Sequence, residues 1–123
     1  MPTSSHSFNQ GDVIKVPFPY TDRPTRQSRP AVVVSAGGIE ALHGLLWVAM
    51  ITSAQNRGWP GDVPVGNLRM AGLPVASVIR AAKIATIEAT DATKLGRVSA
   101  PQLRQVIQQI FLELGAPVGR GPK

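Results

Sequence analysis

Short runs of apolar residues, separated by glycine, proline and polar residues, dominate the first two thirds of the chain. Alternating apolar and polar positions are typical of a half-buried strand, and a short continuous apolar run is typical of a strand buried on both faces. The candidate strands are residues 12–18, 31–35, 45–51, 62–65, 77–80 and 83–87. We therefore predict a mainly β domain of five to seven strands, with a helical turn at residues 39–44.

From Ser99 onward the apolar positions recur at helical spacing. Ser99 is a suitable cap residue, Pro101 suits a first turn, and Gly115 follows the last periodic position. The opposite face of this segment is rich in glutamine, so we predict one C-terminal helix with a single apolar stripe against the sheet. The predicted stripe consists of Leu103, Val106, Ile107, Ile110, Phe111 and Leu114.

The length of 123 residues predicts a single domain over residues 1–123, with a polar tail at 1–10 and a frayed tail at 116–123. No apolar run approaches the length needed to cross a bilayer, and the first ten residues hold no signal-peptide core, so we expect a cytoplasmic protein with no membrane contact. The chain has no cysteine and two histidines. Disulfides, thiolate metal sites and thiol nucleophiles are therefore excluded, and we expect no metal centre and no cofactor.

Thirteen lysines and arginines against seven acidic residues give a net charge of +6 and a pI near 10.9. This balance is expected of a protein that meets polyanions, and either RNA or an acidic partner protein fits it. A basic surface without such a partner is the alternative at this point.

The strongest candidate for chemistry from residue type alone is Arg29. Its planar guanidinium is able to hold two phosphate oxygens at once, and Pro30 restricts the backbone that orients it. A surface arginine at the start of a strand is the alternative interpretation.

Four segments, in their order and spacing, resemble the MazF/PemK toxin family over roughly residues 11–114: GDVIKVPFPY at 11–20, SRPAVVVSA at 28–36, WVAMITSA at 47–54 and SVIRAAKIATI at 77–87. The resemblance implies an SH3-like β-barrel with a C-terminal helix packed on it, in a homodimer. It also implies the toxin of a type II toxin-antitoxin system. Such a toxin is a metal-independent endoribonuclease that cuts single-stranded RNA, leaves a 2′,3′-cyclic phosphate, and is inhibited by an antitoxin with an acidic tail.

By this resemblance, the catalytic residues are Arg29, Thr52 and Arg80. Some relatives carry an acidic residue two positions after the last of these, where this chain has Ala82. Regular strand alternation would put Arg80 and Ala82 on one face, so the obvious general base is absent. Asp22 or a water molecule is a candidate base, although Asp22 equally suits a turn.

RNA contacts are predicted from basic, hydroxyl and aromatic side chains in the loops and at strand ends. Trp59, in a polar loop, is the best candidate for stacking on a base, whereas Trp47 lies in an apolar strand and is predicted to be in the core. His43 is predicted to be a surface or packing residue rather than a catalytic one. The predicted RNA-binding residues are Arg23, Arg26, Ser53, Arg57, Trp59 and Lys83.

Two alternatives remain open at this stage. One is a toxin of the same fold that acts by binding a protein, as CcdB poisons DNA gyrase, in which case the end of the last helix would matter and Arg29 would not. The other is a member of the family that has lost catalysis, as the alanine at position 82 allows, and only binds RNA or an antitoxin.

Overall fold

The computed structural model describes residues 7–18 and 27–115. Six strands form one antiparallel sheet in the order β4-β5-β3-β2-β1-β6, and a C-terminal helix packs on it. The strands are β1 (Asp12–Phe18), β2 (Gln27–Val33), β3 (Leu45–Ser53), β4 (Asp62–Pro64), β5 (Ser77–Glu88) and β6 (Thr93–Arg97), and the helices are α1 (Gly37–His43), α2 (Leu68–Ala71) and α3 (Ala100–Leu114), with a 3₁₀ turn at Ala89–Asp91.

This arrangement confirms the predicted fold class, mainly β with one long C-terminal helix. The sheet is an open ladder whose end strands, β4 and β6, are not hydrogen-bonded neighbours in the described part of the chain. The strands predicted at 77–80 and 83–87 are one long strand, β5. The sequence analysis missed α2 and β6, which lie in stretches without a clear apolar period.

Both faces of the central strands are buried because each face has its own apolar cluster. Val32, Ala49, Ile51 and Ile79 lie on the face that α3 covers, which we name the helix face, and they pack with Val106 of α3. The residues that alternate with them form the second cluster, on what we name the site face, and they include Ile14, Val16, Ala31, Val33, Leu46, Val48 and Met50. Continuous apolar runs such as residues 31–34 follow from this burial on both sides.

Helix α3 begins as predicted, because the Ser99 side chain accepts a hydrogen bond from the Gln102 N–H and a proline lies in the first turn. Four of the six predicted stripe residues pack against the sheet: Leu103, Val106, Ile107 and Ile110. The prediction was wrong for Phe111 and Leu114, which are 64% and 73% exposed. The last turn of the helix extends beyond the residues that pack on the sheet.

The prediction that Trp47 is a core residue was also wrong, since it is 50% exposed. Trp47 alternates with Leu46 and Val48 on β3, so it lies on the helix face with Ala49. The core on that face ends before it. No helix in the described residues is long and apolar enough to span a membrane.

The helix face is closed at one end by a tight approach of α2 to β6. Gly96 of β6 lies so near α2 that a Cβ atom there would collide with the carbonyl oxygen of Met70. The backbone of Gly96 does not have a positive φ, so lack of space alone requires glycine at this position.

We therefore expect Gly96→Ala to lower the free energy of unfolding by about 1–3 kcal/mol, because the backbone of α2 must move. Urea unfolding followed by circular dichroism measures this change. Gly38→Ala is the matched control. Gly38 lies in α1, and a Cβ added there meets nothing within 4 Å. Equal stability of the two variants would contradict the tight approach.

Candidate functional site

The register of the sheet brings the predicted catalytic positions onto one face. Arg80 of β5 lies opposite Met50 of β3 on one side and opposite Asp62 of β4 on the other, and Met50 lies opposite Ala31 of β2. Residues opposite each other in an antiparallel pair project to the same face. Met50 and Ala31 belong to the apolar cluster of the site face, so Arg80 and Asp62 lie on that face as well.

Arg29 and Thr52 lie at the adjoining position on the same face. The last pair of the β2–β3 ladder is Ala31 and Met50, and Arg29 and Thr52 each lie two residues beyond that pair. A step of two residues along a strand keeps the same face, so continuing this register places Arg29 beside Thr52. Arg29 is exposed and Thr52 is half-buried.

The hydroxyl of Thr52 has a defined hydrogen bond. The side-chain amide of Asn56 donates to Thr52 Oγ1 over 2.6 Å. A threonine hydroxyl has one proton to donate and lone pairs to accept, so this contact uses acceptor capacity and leaves the proton for another acceptor, such as a phosphate oxygen.

Arg80 is buried, with only 8% of its surface exposed, and is paired with Asp62. Its Nε donates to Asp62 Oδ1 at 3.1 Å and its Nη2 donates to Asp62 Oδ2 at 2.9 Å. Nη2 also donates to the carbonyl oxygen of Arg57 at 2.8 Å, and the guanidinium carbon lies 4.2 Å from the centre of the Trp59 ring. Arg80 is therefore not a solvent-exposed strand arginine.

The carboxylate of Asp62 is held in its charged form. The hydrogen bonds from Arg80 are the main cause of its lowered pKa; burial opposes them, while the Trp59 N–H and the charge of Arg80 add to the lowering. A carboxylate stabilised in this way is a weak proton acceptor.

An irregularity in β5 breaks the regular alternation that was expected between Arg80 and Ala82. The β3–β5 register steps from Met50 opposite Arg80 directly to Ala49 opposite Ile84, so Ala81 to Lys83 form a bulge between two consecutive β3 pairs. Ala81 is buried and Ala82 is exposed, and regular alternation does not hold here. The carboxylate that pairs with Arg80 comes from the neighbouring strand β4.

A family model described as PemK-like, MazF-like toxin of type II toxin-antitoxin system matches residues 9–113. The chain belongs to this MazF/PemK toxin family. The resemblance seen in the sequence is thereby confirmed, and the protein is a toxin of a toxin-antitoxin system. No curated protein sequence matches the chain.

Solved MazF structures share this fold. A MazE-MazF complex from Deinococcus radiodurans has a TM-score of 0.72 at 22% identity, covering 89% of this chain and 97% of that one. An endoribonuclease in complex with its cognate antitoxin from mycobacterial species has a TM-score of 0.71 at 19% identity, covering 90% and 98%. The Mycobacterium tuberculosis toxin MazF-mt6 has a TM-score of 0.68 at 20% identity, covering 86% and 98%.

The predicted RNA-binding residues of this MazF-like toxin fall into two groups. Arg57 and Lys83 are exposed, Trp59 is 36% exposed, and Ser53 is half-buried, with its Oγ accepting a hydrogen bond from the Gln55 N–H. Arg23, Arg26 and the candidate base Asp22 lie outside the described residues.

Two further points concern His43 and groups that could bind a metal ion. His43 ends α1 and is exposed, which agrees with the surface placement. Within residues 7–18 and 27–115 no group of three or more histidine, aspartate or glutamate side chains is placed to hold a metal ion.

Sequence reasoning missed two residues of this MazF/PemK site, Asp62 and Asn56. Asp62 begins a short strand candidate, but its pairing with Arg80 depends on a register that no local pattern encodes. Asn56 comes four residues after Thr52. That short separation was the one feature of the sequence that could have indicated their hydrogen bond.

The lowered pKa of Asp62 predicts how stability depends on pH. A depressed carboxyl pKa stabilises the folded state above the pKa of the unfolded chain, near 4, and this contribution is lost as the pH falls through the folded pKa. We expect Asp62→Asn to cost about 1.5–3 kcal/mol at pH 7, and the difference from wild type to shrink below pH 4.

Urea unfolding of both proteins at pH 7, 5, 4 and 3 measures this difference, with the exposed Asp91→Asn as the matched control. A difference that stays constant over the whole range would contradict the assigned ion pair.

Proposed function

We propose that this toxin is a metal-independent endoribonuclease that cuts single-stranded RNA, with Arg29 and Thr52 at the scissile phosphate. The observation that carries the proposal is the placement of these two side chains on one face, at neighbouring ends of β2 and β3. A guanidinium and a hydroxyl on one face, at adjoining strand positions, offer an arrangement suited to a phosphate. Structural relatives described as endoribonucleases support the same activity.

The proposed reaction is attack by the RNA's own 2′ hydroxyl. The 2′ oxygen bonds to phosphorus, the bond from phosphorus to the 5′ oxygen breaks, and a 2′,3′-cyclic phosphate and a 5′ hydroxyl result. Arg29 stabilises the negative charge that develops on the phosphate oxygens, and the Thr52 hydroxyl donates a hydrogen bond to one of them. The 5′ oxygen leaves with a proton donated by Arg29 or water.

The base that removes the 2′ proton is Asp22 or a water molecule. Asp62 is not suited to this role, because both of its oxygens accept hydrogen bonds and its pKa is lowered. Arg80 lies on the same face, but its Nε and Nη2 donate to Asp62. We therefore do not assign Arg80 the role of Arg29 in stabilising charge on the phosphate.

The RNA strand is proposed to follow the exposed basic residues around the site. Arg57 and Lys83 contact phosphates, and Trp59 stacks on a base. Ser53 follows Thr52 in β3 and alternates to the helix face, so it has no part in the proposed contacts. Arg23 and Arg26, in the segment between β1 and β2, complete the proposed RNA-binding set.

The proposed protein partners are an antitoxin with an acidic tail and a second copy of this chain. The net charge of +6 favours an acidic partner, and two of the structural relatives are complexes with antitoxins. The exposed Trp47 and Ile84, which lie on the helix face, support a homodimer that covers them.

A second candidate function is binding of a target protein, as for CcdB and gyrase. The observation in its favour is the exposure of Phe111, Leu112 and Leu114 in the last turn of α3. The alternative of a family member without catalysis is tested by the same experiment, because Asp62 pairs with Arg80 but is not suited to act as the missing base.

We expect the purified toxin to cut a long single-stranded RNA in the presence of EDTA, at discrete sites that carry 2′,3′-cyclic ends. Arg29→Ala should reduce the rate about 100-fold or more, because one oriented donor contributes about 3 kcal/mol to the transition state. Thr52→Val should also reduce it. Mapping of the cut ends and single-turnover rates measure both effects.

The control for this experiment is Arg104→Ala, which removes the same charge from an exposed position on α3, across the sheet from the site. Full activity of Arg29→Ala, or no cleavage of varied RNAs by the wild type, would contradict the proposal. The second result, together with loss of target binding when Leu112 and Leu114 are replaced by Glu, would favour the protein-binding function.

The homodimer predicts a separate outcome for Trp47→Glu. A charge placed in a buried apolar interface is unfavourable, so we expect this variant to sediment as a monomer where the wild type sediments as a dimer. Val75→Glu is the matched control, because Val75 is 54% exposed and precedes β5 at the end opposite Ile84. A wild-type monomer would contradict the proposal.

A further inference from the structure

The loop between β3 and β4, residues 54–61, is held against the sheet at two places, and the Arg80 side chain provides the first. Arg80 of β5 donates to the Arg57 carbonyl oxygen, lies against the Trp59 ring, and pairs with Asp62, where the loop ends. Asp62 also accepts a hydrogen bond from the Trp59 N–H at 2.9 Å. Three points of this loop are therefore held through a single guanidinium and its partner.

The second attachment is at the other end of the loop. Asn56 donates to the Thr52 hydroxyl, and the Asn56 N–H donates to the Ser53 carbonyl oxygen at 3.0 Å. The loop thus connects directly to the hydroxyl proposed to contact the phosphate. Both attachments direct the same segment toward the site face.

Geometry argues against Arg80 as a ligand of the scissile phosphate. Its Nε and Nη2 are used by Asp62 and the Arg57 carbonyl, and the Trp59 ring covers the guanidinium. A phosphate that drew Arg80 away would leave the Asp62 carboxylate, whose side chain is only 11% exposed, without its partner, which is unfavourable. A bidentate arginine–carboxylate pair also presents little net charge to an approaching phosphate.

We infer that Asp62 and Arg80 are positioning residues that hold the β3–β4 loop as a subsite for one unpaired nucleotide beside the cleaved phosphate. This inference rests on the proposed function and deepens it. One side of the Trp59 ring contacts Arg80, and the exposed part of the ring stacks on the base. The exposed guanidinium of Arg57 contacts the adjoining phosphate.

The test separates binding from chemistry. Binding is measured by fluorescence anisotropy with a short labelled single-stranded DNA of deoxyuridine and mixed bases, which lacks the attacking 2′ hydroxyl. Cleavage is measured as KM and kcat on the RNA of the same sequence. The variants are Asp62→Asn, Arg80→Lys, Trp59→Ala, Trp59→Phe and Arg29→Ala.

We expect Asp62→Asn, Arg80→Lys and Trp59→Ala to weaken DNA binding and raise KM about 10-fold, because stacking and loop order are lost. In these variants kcat should change by less than about 3-fold, because the lost contacts bind the substrate and the transition state equally. Trp59→Phe should retain most of the affinity, because it keeps an aromatic face. Arg29→Ala should show the opposite pattern, a loss in kcat with a small change in KM.

Two results would overturn the inference. One is a large loss of kcat at unchanged KM in Arg80→Lys, which would make Arg80 a catalytic residue. The other is unchanged DNA affinity in Trp59→Ala, a variant that leaves the Asp62–Arg80 pair in place and so remains informative if Asp62→Asn does not fold. A wild type that cuts no RNA while these variants lose DNA affinity would contradict the proposed function and support the subsite.

Discussion

The register of β3 with its two neighbours is the constraint on which the site depends. β3 pairs with β2 on one side and with β5 on the other, and it is the strand that links the two halves of the sheet. Through Met50, the pairing fixes Ala31 on one side and Arg80 on the other, in one row across the sheet. A shift of one residue on either side would turn Arg29 or Arg80 to the helix face. Burial on both faces resists such a shift, because it would exchange two well-packed clusters.

The bulge in β5 makes this arrangement compatible with a long strand. Residues 81–83 are extra residues in β5 between the pairs that Met50 and Ala49 of β3 make. Beyond them, β5 pairs with β3 in a shifted register. Arg80 lies immediately before the bulge and is buried, and Asp62 on the edge strand meets its charge. A buried pair of this kind contributes little net stability compared with apolar residues, but removing one partner is costly. The value of the pair therefore lies in the geometry that it imposes on the loop after β3.

Local patterns were sufficient for much of the fold. The strand runs and the cap at Ser99 are encoded by short-range periodicity and side-chain hydrogen bonding, and both were predicted. The exposure of Trp47 and Phe111 was not, because an apolar residue in a periodic pattern does not reveal where its covering element ends. The pairing of Asp62 with Arg80 was missed for a different reason. It joins residues 18 positions apart through strand register, and the bulge that breaks alternation in β5 has no marker in the sequence.

The charges near the site divide into two classes with different consequences for RNA. The charge of Arg80 is balanced by Asp62 at 2.9 Å, so it contributes little to the field outside the protein. The charges of Arg57 and Lys83 are exposed. Arg57 lies in the loop that Arg80 holds, and Lys83 lies in the bulge that follows Arg80. Attraction of a polyanion therefore depends on the exposed cations, while the order of the surface that receives it depends on a neutralised pair. In the proposed function, an acidic antitoxin tail would compete with RNA for the exposed cations, because the Arg80 guanidinium is buried and its Nε and Nη2 are engaged by Asp62 and the Arg57 carbonyl oxygen.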